Sequence, residues 1–230
     1  MHLGSRRAQA ELLLDFLRHH RAEFLYLVGD IADDARAQPF PPWPDAHRAV
    51  LEALRTMARA GTRVHHVTGN HDPSFGELWG GEAELAIAGE FEHATADGRR
   101  LWVLHGERFD GVVQRRRWLG ALGDALARAL ERTCEALEIL TRAQVTRLGL
   151  VLRQRCKAWL GYTARFERSA LSAVRSRSVD GVICGHAHAP ASRTIDGLYY
   201  GNGGDWVGSA TALVEHDDGR IELLAWRSAA

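Results

Sequence analysis

Apolar residues recur along the chain in two rhythms, and each predicts a type of element. Between Ala8 and His20, residues Leu12, Leu13, Phe16 and Leu17 fall three to five positions apart, which predicts an amphipathic helix. A short apolar run from Glu23 to Val28 follows and stops at Gly29-Asp30, the length and bounds of a buried strand. A proline-rich loop from Pro39 to Pro44 leads into a second helix, capped by Asp45, running to about Ala60 and stopped by Gly61. Arg63–Thr68 then reads as a strand that ends in Gly69-Asn70-His71-Asp72.

The strand rhythm repeats. Arg100–Leu104 ends in His105-Gly106-Glu107, and Val179–Cys184 ends in Gly185-His186-Ala187-His188. Further strands are predicted at Ser192–Ile195, Leu198–Tyr200, Ala210–Glu215 and Ile221–Trp226, with hairpin turns at Asp196-Gly197 and Asp217-Asp218-Gly219. Between His105 and His186 the rhythm is helical. Leu119, Leu122, Leu126, Leu130, Cys134, Leu137 and Leu140 form one stripe; Val145, Leu148, Val151 or Leu152, and Trp159 form another. Two or three helices are expected over about 113–176, either as a plain layer on the core or as a cap whose apolar face suits a lipid-like substrate. The whole predicts one α/β domain over 1–230, with polar motifs at the carboxyl ends of strands, where open α/β sheets place their sites.

Composition changes this picture little. The chain has 230 residues, 46% hydrophobic and 25% charged, with a formal net charge of zero, so nothing in its overall charge points to nucleic acid. Cys134, Cys156 and Cys184 form neither a CxxC pair nor a disulfide framework, which suits a reduced, cytoplasmic setting. No apolar run of about 18 residues predicts a transmembrane helix, and no signal peptide is recognisable.

The chemistry sits at the strand ends. His2, Asp30, Asn70, His105, His186 and His188 offer imidazole nitrogens, a carboxylate and an amide oxygen, donors that suit Mn, Fe or Zn. Two ions about 3.5–4 Å apart can clamp the attacking and leaving oxygens of a phosphoryl transfer, and Asp30, after a tight glycine, is the natural bridge between them. Gly-Asp alone carries almost no information. The ordered series GD, GNHD, HG and GHxH, each after an apolar run, carries a good deal.

That series resembles the calcineurin-like metallophosphoesterase superfamily, whose usual pattern is D-x-H, G-D, G-N-H-D/E, H and G-H-x-H. Within it the chain is most similar to the UDP-2,3-diacylglucosamine diphosphatase group of the lipid A pathway. The residues that carry this are Leu27-Val-Gly-Asp30, Gly69-Asn-His-Asp72, His105-Gly-Glu-Arg-Phe-Asp110, Gly185-His-Ala-His188 and Gly203-Gly-Asp-Trp206. The resemblance covers nearly the whole chain. It implies a β-sandwich flanked by helices in an αββα arrangement, with the helical insert as a cap, and two divalent ions, manganese first, with iron or zinc as alternatives. It implies that His2, Asp30 and His188 hold one ion and that Asp30, Asn70, His105 and His186 hold the other. His71 would stabilise charge or donate a proton at the leaving group, oriented by Asp72, while a metal-bound hydroxide attacks phosphorus. The implied substrate is a phosphorylated lipid or nucleotide-sugar, UDP-2,3-diacylglucosamine by first choice. Its hydrolysis yields UMP and 2,3-diacylglucosamine 1-phosphate, in the cytoplasm or peripherally on the inner membrane. A broader phosphoesterase and a weakly active metal-binding protein are the alternatives.

The chain departs from the pattern in three places. The first motif reads Met1-His2-Leu3-Gly4, so its aspartate and the strand ahead of it fall outside the sequence; a start assigned too late and a true truncation both account for this. On either account the ion held by His2 and His188 is expected to bind more weakly than its neighbour. Glu107 stands where HGD is usual. His71 stands where several lipid A pathway members carry arginine.

Arg6, with Arg7, and the run Arg115, Arg116 and Arg117 are candidates for binding phosphate, against the plainer reading of a solvated face. His19, His20, His47, His65 and His66 read as structural or exposed, Trp118 and Trp159 as core of the insert. Asp205-Trp206, after a glycine-rich turn, is weighed as a support for the site.

Overall fold

The leucine-rich segment forms helix α1, Ala10–His19, and buries Leu13, Phe16 and Leu17 on one face. Strand β1, Phe24–Val28, follows, and helix α2, Asp45–Arg59, carries the chain to β2, Arg63–Val67. The computed structural model describes residues 1–32, 44–71, 79, 85–110 and 161–227. Asp45 does not cap α2. Pro44 occupies the cap position, no side chain bonds the helix start, and Asp45 is the first helical residue, paired with Arg48. Gly61 terminates the helix at φ +100, a conformation open to glycine.

Two strands were not anticipated: β3, Leu85–Ala88, and β4, Glu90–Ala94. The remaining strands fall close to prediction: β5 at Arg100–Leu104, β6 at Gly181–Cys184, β7 at Ala191–Ile195, β8 at Leu198–Asn202, β9 at Thr211–Glu215 and β10 at Ile221–Ala225. The β7–β8 turn is Asp196-Gly197, both at positive φ, the pair of dihedrals a tight two-residue hairpin needs. Strands β1, β2 and β3 form a parallel sheet, and β4-β5-β6-β8-β7 form a second sheet in that order. In the second sheet β5, β6 and β8 run parallel while the two edges run antiparallel. Strands β9 and β10 form a hairpin.

The chain falls into two compact units, Met1–Glu107 with Leu171–Ala230, and Arg108–Ala170. In the first, α1 and α2 bury Leu13, Leu17, Val50, Leu54 and Met57 against Leu27 and Val64 of the three-stranded sheet. The two sheets meet through aromatic rings. His65 stacks on Phe91 at 4.7 Å, and Tyr26 lies 5.3 Å from His93. Glu215 ties the β9–β10 hairpin to β4, accepting from the His93 ring (2.5 Å) and the Ala96 N–H (2.7 Å). Burial and then Glu215 push the Tyr26 phenol up to about 12. Of the two histidines read as structural or exposed, His65 is partly buried between the sheets, while His66 is fully buried and accepts from Trp79 Nε1.

Among the described residues β1 pairs with β2 alone, and β9 with β10 alone. Residues of both strands line a cavity of about 590 Å3 whose walls include Leu25, Leu27, Val103, Ile183 and Leu213. Leu3 bridges to Ala32 in parallel, with the His2 and Leu3 N–H groups donating to Asp30 and Ile31 carbonyls at 2.8 Å.

The second unit is described at Arg108–Asp110 and Gly161–Ala170. Tyr162 donates to Asp110 Oδ2 at 2.9 Å, and Phe166 meets Phe109 edge-on. Helix α3, Tyr162–Val174, includes the end of the predicted insert; most of 113–176, with Arg115, Arg116 and Arg117, lies outside the described residues. Among the described residues no helix is long and apolar enough to cross a membrane.

Candidate metal centre

Parallel strands deliver their carboxyl ends to one place. Asp30 follows β1, Asn70 follows β2, His105 follows β5, and His186 and His188 follow β6. The backbone turns sharply at these points. Six non-glycine residues among those described adopt positive φ, and four of them are His2, Asp30, His186 and His188. Left-handed backbone costs an L-residue about 1–2 kcal/mol. Its concentration here marks side chains that are held inward against local preference.

Two donor groups result, and they share Asp30. His2, Asp30 and His188 present ligand atoms within 4.8 Å of one another, and so do Asp30, His105 and His186. His105 Nε2 lies 3.3 Å from Asp30 Oδ2, 3.2 Å from Asn70 Oδ1 and 3.4 Å from His186 Nδ1. His2 Nε2 lies 3.2 Å from His188 Nε2 and 4.0 Å from Asp30 Oδ2. Asp30, His105 and His2 are buried, while Asn70 and His71 are exposed, so the centre opens on one side.

The tautomers point their lone pairs at the same two positions. His105 Nδ1–H donates to the Val28 carbonyl at 3.2 Å, which turns Nε2 into the site. His188 Nδ1–H donates to Asp205 Oδ2 at 3.2 Å, and burial lowers this imidazole's pKa, so its Nε2 faces His2 as a bare lone pair. Burial pushes the Asp30 carboxyl up, but the His105 hydrogen bond and the charges of His105, His71 and His2 outweigh it and hold the acid below the usual carboxylate range. Burial lowers His105, yet the Asp30 hydrogen bond and charge raise it overall; the pair attracts a positive charge. Convergent nitrogen and oxygen lone pairs around a shared carboxylate repel one another unless a cation lies between them. The donor set therefore fits divalent transition-metal ions.

Of the residues singled out from sequence, the structure brings together His2, Asp30, Asn70, His105, His186 and His188. It places the His71 ring 5.7 Å from that of His2, edge-on, with the His71 N–H donating to Asp30 Oδ1 at 3.1 Å. Asp72 lies outside the described residues. Arg6 is exposed on the loop that carries His2. Two supports escaped the sequence reading. His47, read as structural or exposed, is buried and accepts the Gly4 N–H at 2.8 Å, holding the His2 loop; burial keeps its pKa low, as an acceptor nitrogen needs. Asn202 Nδ2 donates to the Gly185 carbonyl at 2.8 Å. Both contacts join residues far apart in the chain, and no spacing rule announces them.

Gly29 carries a further constraint. Its φ is +67, and a Cβ there would sit 2.1 Å from His105 Nδ1. Gly29→Ala is expected to displace the His105 ring from Val28 and to cost about 2–4 kcal/mol. A thermal melt together with a manganese titration checks this; unchanged values in both would contradict it.

A model of the calcineurin-like phosphoesterase family matches residues 1–190. The chain is 27% identical over 214 residues to a UDP-2,3-diacylglucosamine hydrolase of Pseudomonas aeruginosa, covering 85% of this chain and 82% of that one. It is 28% identical over 204 residues to the protein of the same name from Chromohalobacter salexigens, covering 80% and 76%. Among solved structures, a Vps29 variant from Entamoeba histolytica aligns at a TM-score of 0.49 and 15% identity, covering 99% of this chain and 96% of that one.

Proposed function

The chain belongs to the calcineurin-like phosphoesterase family, and from that premise we propose that it hydrolyses the diphosphate of UDP-2,3-diacylglucosamine with two divalent ions, manganese first. The observation that carries the two-ion reading is the sharing of one buried carboxylate, Asp30, by two imidazole groups. The substrate reading is supported by the length over which the chain aligns with hydrolases of that name.

Two ions, when bound, lower the pKa of a coordinated water and neutralise charge on the phosphoryl oxygens. The rest falls to the chain's own residues. Asp30, held by the His71 N–H and beside His105, fixes the spacing of the two donor groups. His105, anchored on Val28, and His188, anchored on Asp205, keep their Nε2 atoms aimed inward. His71, exposed at the mouth, is placed to donate a proton to the departing phosphate oxygen. Water adds to one phosphorus and the anhydride bond breaks, releasing UMP and 2,3-diacylglucosamine 1-phosphate. Arg6, exposed on the His2 loop, supplies charge for the diphosphate. With a diacylated substrate the enzyme would work peripherally at the cytoplasmic membrane face.

The test is turnover of UDP-2,3-diacylglucosamine by the manganese-loaded protein beside that of a simple aryl phosphodiester. Release of UMP from the lipid at the higher kcat/KM is expected. Robust diester hydrolysis with no lipid turnover would replace this substrate with a broader one, a reading favoured by the histidine at position 71, where several lipid A pathway members carry arginine.

A further inference from the structure

The loop between β8 and β9 holds a carboxylate that none of the motif ligands accounts for. Asp205 is 7% exposed. Its Oδ1 accepts the backbone N–H groups of Val207 (2.9 Å), Gly208 (2.5 Å) and Ser209 (3.0 Å). Those three donors fix the carboxylate within its own loop and leave Oδ2 for a single partner, the Nδ1–H of His188 at 3.2 Å. The loop is itself fastened at both flanks. Asn202 accepts the Gly204 N–H at 3.0 Å and donates to the Gly185 carbonyl at 2.8 Å, while Gln9 donates to the Trp206 and Val207 carbonyls. Trp206 is buried against Phe16 of α1. The Gly185–His188 turn is thus clasped at its first residue by Asn202 and at its last by Asp205.

We propose that Asp205 is the positioning residue of His188: it locks the Nδ1–H tautomer and the ring orientation, and so leaves Nε2 free to bind the ion shared with His2 and Asp30. A neutral imidazole has one proton for two nitrogens, so the partner on one nitrogen decides the chemistry of the other. His188 has left-handed backbone, φ 49, and its side chain is still 34% exposed, so packing alone does not set its ring. Outer hydrogen bonds of this kind to a liganding histidine are worth about 10–100-fold in metal affinity. The proposal rests on the two-ion reading for its metal readout, but the tautomer claim stands by itself.

Asp205→Asn separates the effects. The amide oxygen still accepts the three loop N–H groups, so the loop keeps its shape, while the amide nitrogen turns a donor towards His188 Nδ1. His188 is then expected to move its proton to Nε2. Long-range nitrogen–proton NMR on the metal-free, full-length protein reads the tautomer directly. Manganese calorimetry reads affinity, and wild-type protein and His188→Ala serve as references. The expected results are an Nδ1–H ring in wild type and an Nε2–H ring in Asp205→Asn. One of the two manganese affinities should fall about 10–100-fold and the other should be kept. An Nε2–H ring in the wild-type protein would overturn the proposal whether or not the variant folds. So would Asp205→Asn with an unchanged tautomer and two unchanged affinities. If wild type binds no ion yet shows the predicted tautomers, the two-ion reading fails and the positioning role stands.

Discussion

Asp30→Asn is expected to lower kcat/KM by about three orders of magnitude or more and to reduce the ions retained per chain. The carboxylate is the one donor common to both groups, so its loss weakens both ions at once, whereas loss of any histidine weakens one. Metal-ion stabilisation of phosphoryl charge is worth several kcal/mol, and each 1.36 kcal/mol is tenfold in rate. The substitution is sterically mild. The amide oxygen still accepts the His71 N–H that bonds Oδ1 at 3.1 Å, so the fold survives and the defect is one of charge. Metal content after gel filtration and steady-state kinetics at saturating manganese check this together. A variant that keeps two ions and acts within tenfold of wild type would contradict the bridging role.

His71→Ala is expected to give the opposite pattern: both ions retained, with kcat lower by about 10²- to 10⁴-fold. The ring stands beside His2 but offers no atom to either donor group, and it is exposed at the mouth of the centre. Its loss therefore removes a proton donor without removing a ligand. The backbone N–H that holds Asp30 is untouched by the change of side chain. The discriminating measurement compares substrates with good and poor leaving groups. The defect should shrink when the leaving group needs no proton. An equal loss on both substrates, or a loss of bound metal, would assign His71 a structural part instead.

The centre was legible from sequence to the extent that metal chemistry restricts residue type. Imidazole and carboxylate donors at the ends of apolar runs are few, and their order along the chain is distinctive, so His2, Asp30, Asn70, His105, His186 and His188 could be named before any coordinates. What holds them could be named only in part: Asp205 stood as a candidate support, without its partner. The bond from His47 to the Gly4 N–H and that from Asp205 to His188 each depend on tertiary placement, and neither histidine nor aspartate announces its partner by spacing. The left-handed backbone at four of the ligands was equally hidden, since no glycine marks those positions.

The fold shows the same division. The helical stripe of α1 and the apolar runs of β1, β5 and β6 carry their own periodicity, and their ends fell within a residue or two of prediction. Strands β3 and β4 do not. Leu85–Ala88 is alanine-rich, and Glu90–Ala94 alternates charge with aromatic residues at the edge of its sheet. Their pairing with β2 and β5 supplies the extended conformation that their own composition does not demand. Asp45 failed as a cap because Pro44, lacking an N–H and fixed in φ, already suits the turn into α2.

The most direct measurement of the central claim is a manganese titration of chelator-stripped, full-length protein, with ions bound and phosphodiester hydrolysis followed in the same samples. Two ions per chain are predicted, with no hydrolysis in the stripped protein and a rate that rises as both donor groups fill. Full hydrolysis in the stripped protein, or saturation with manganese and no hydrolysis of any phosphoester, would contradict it.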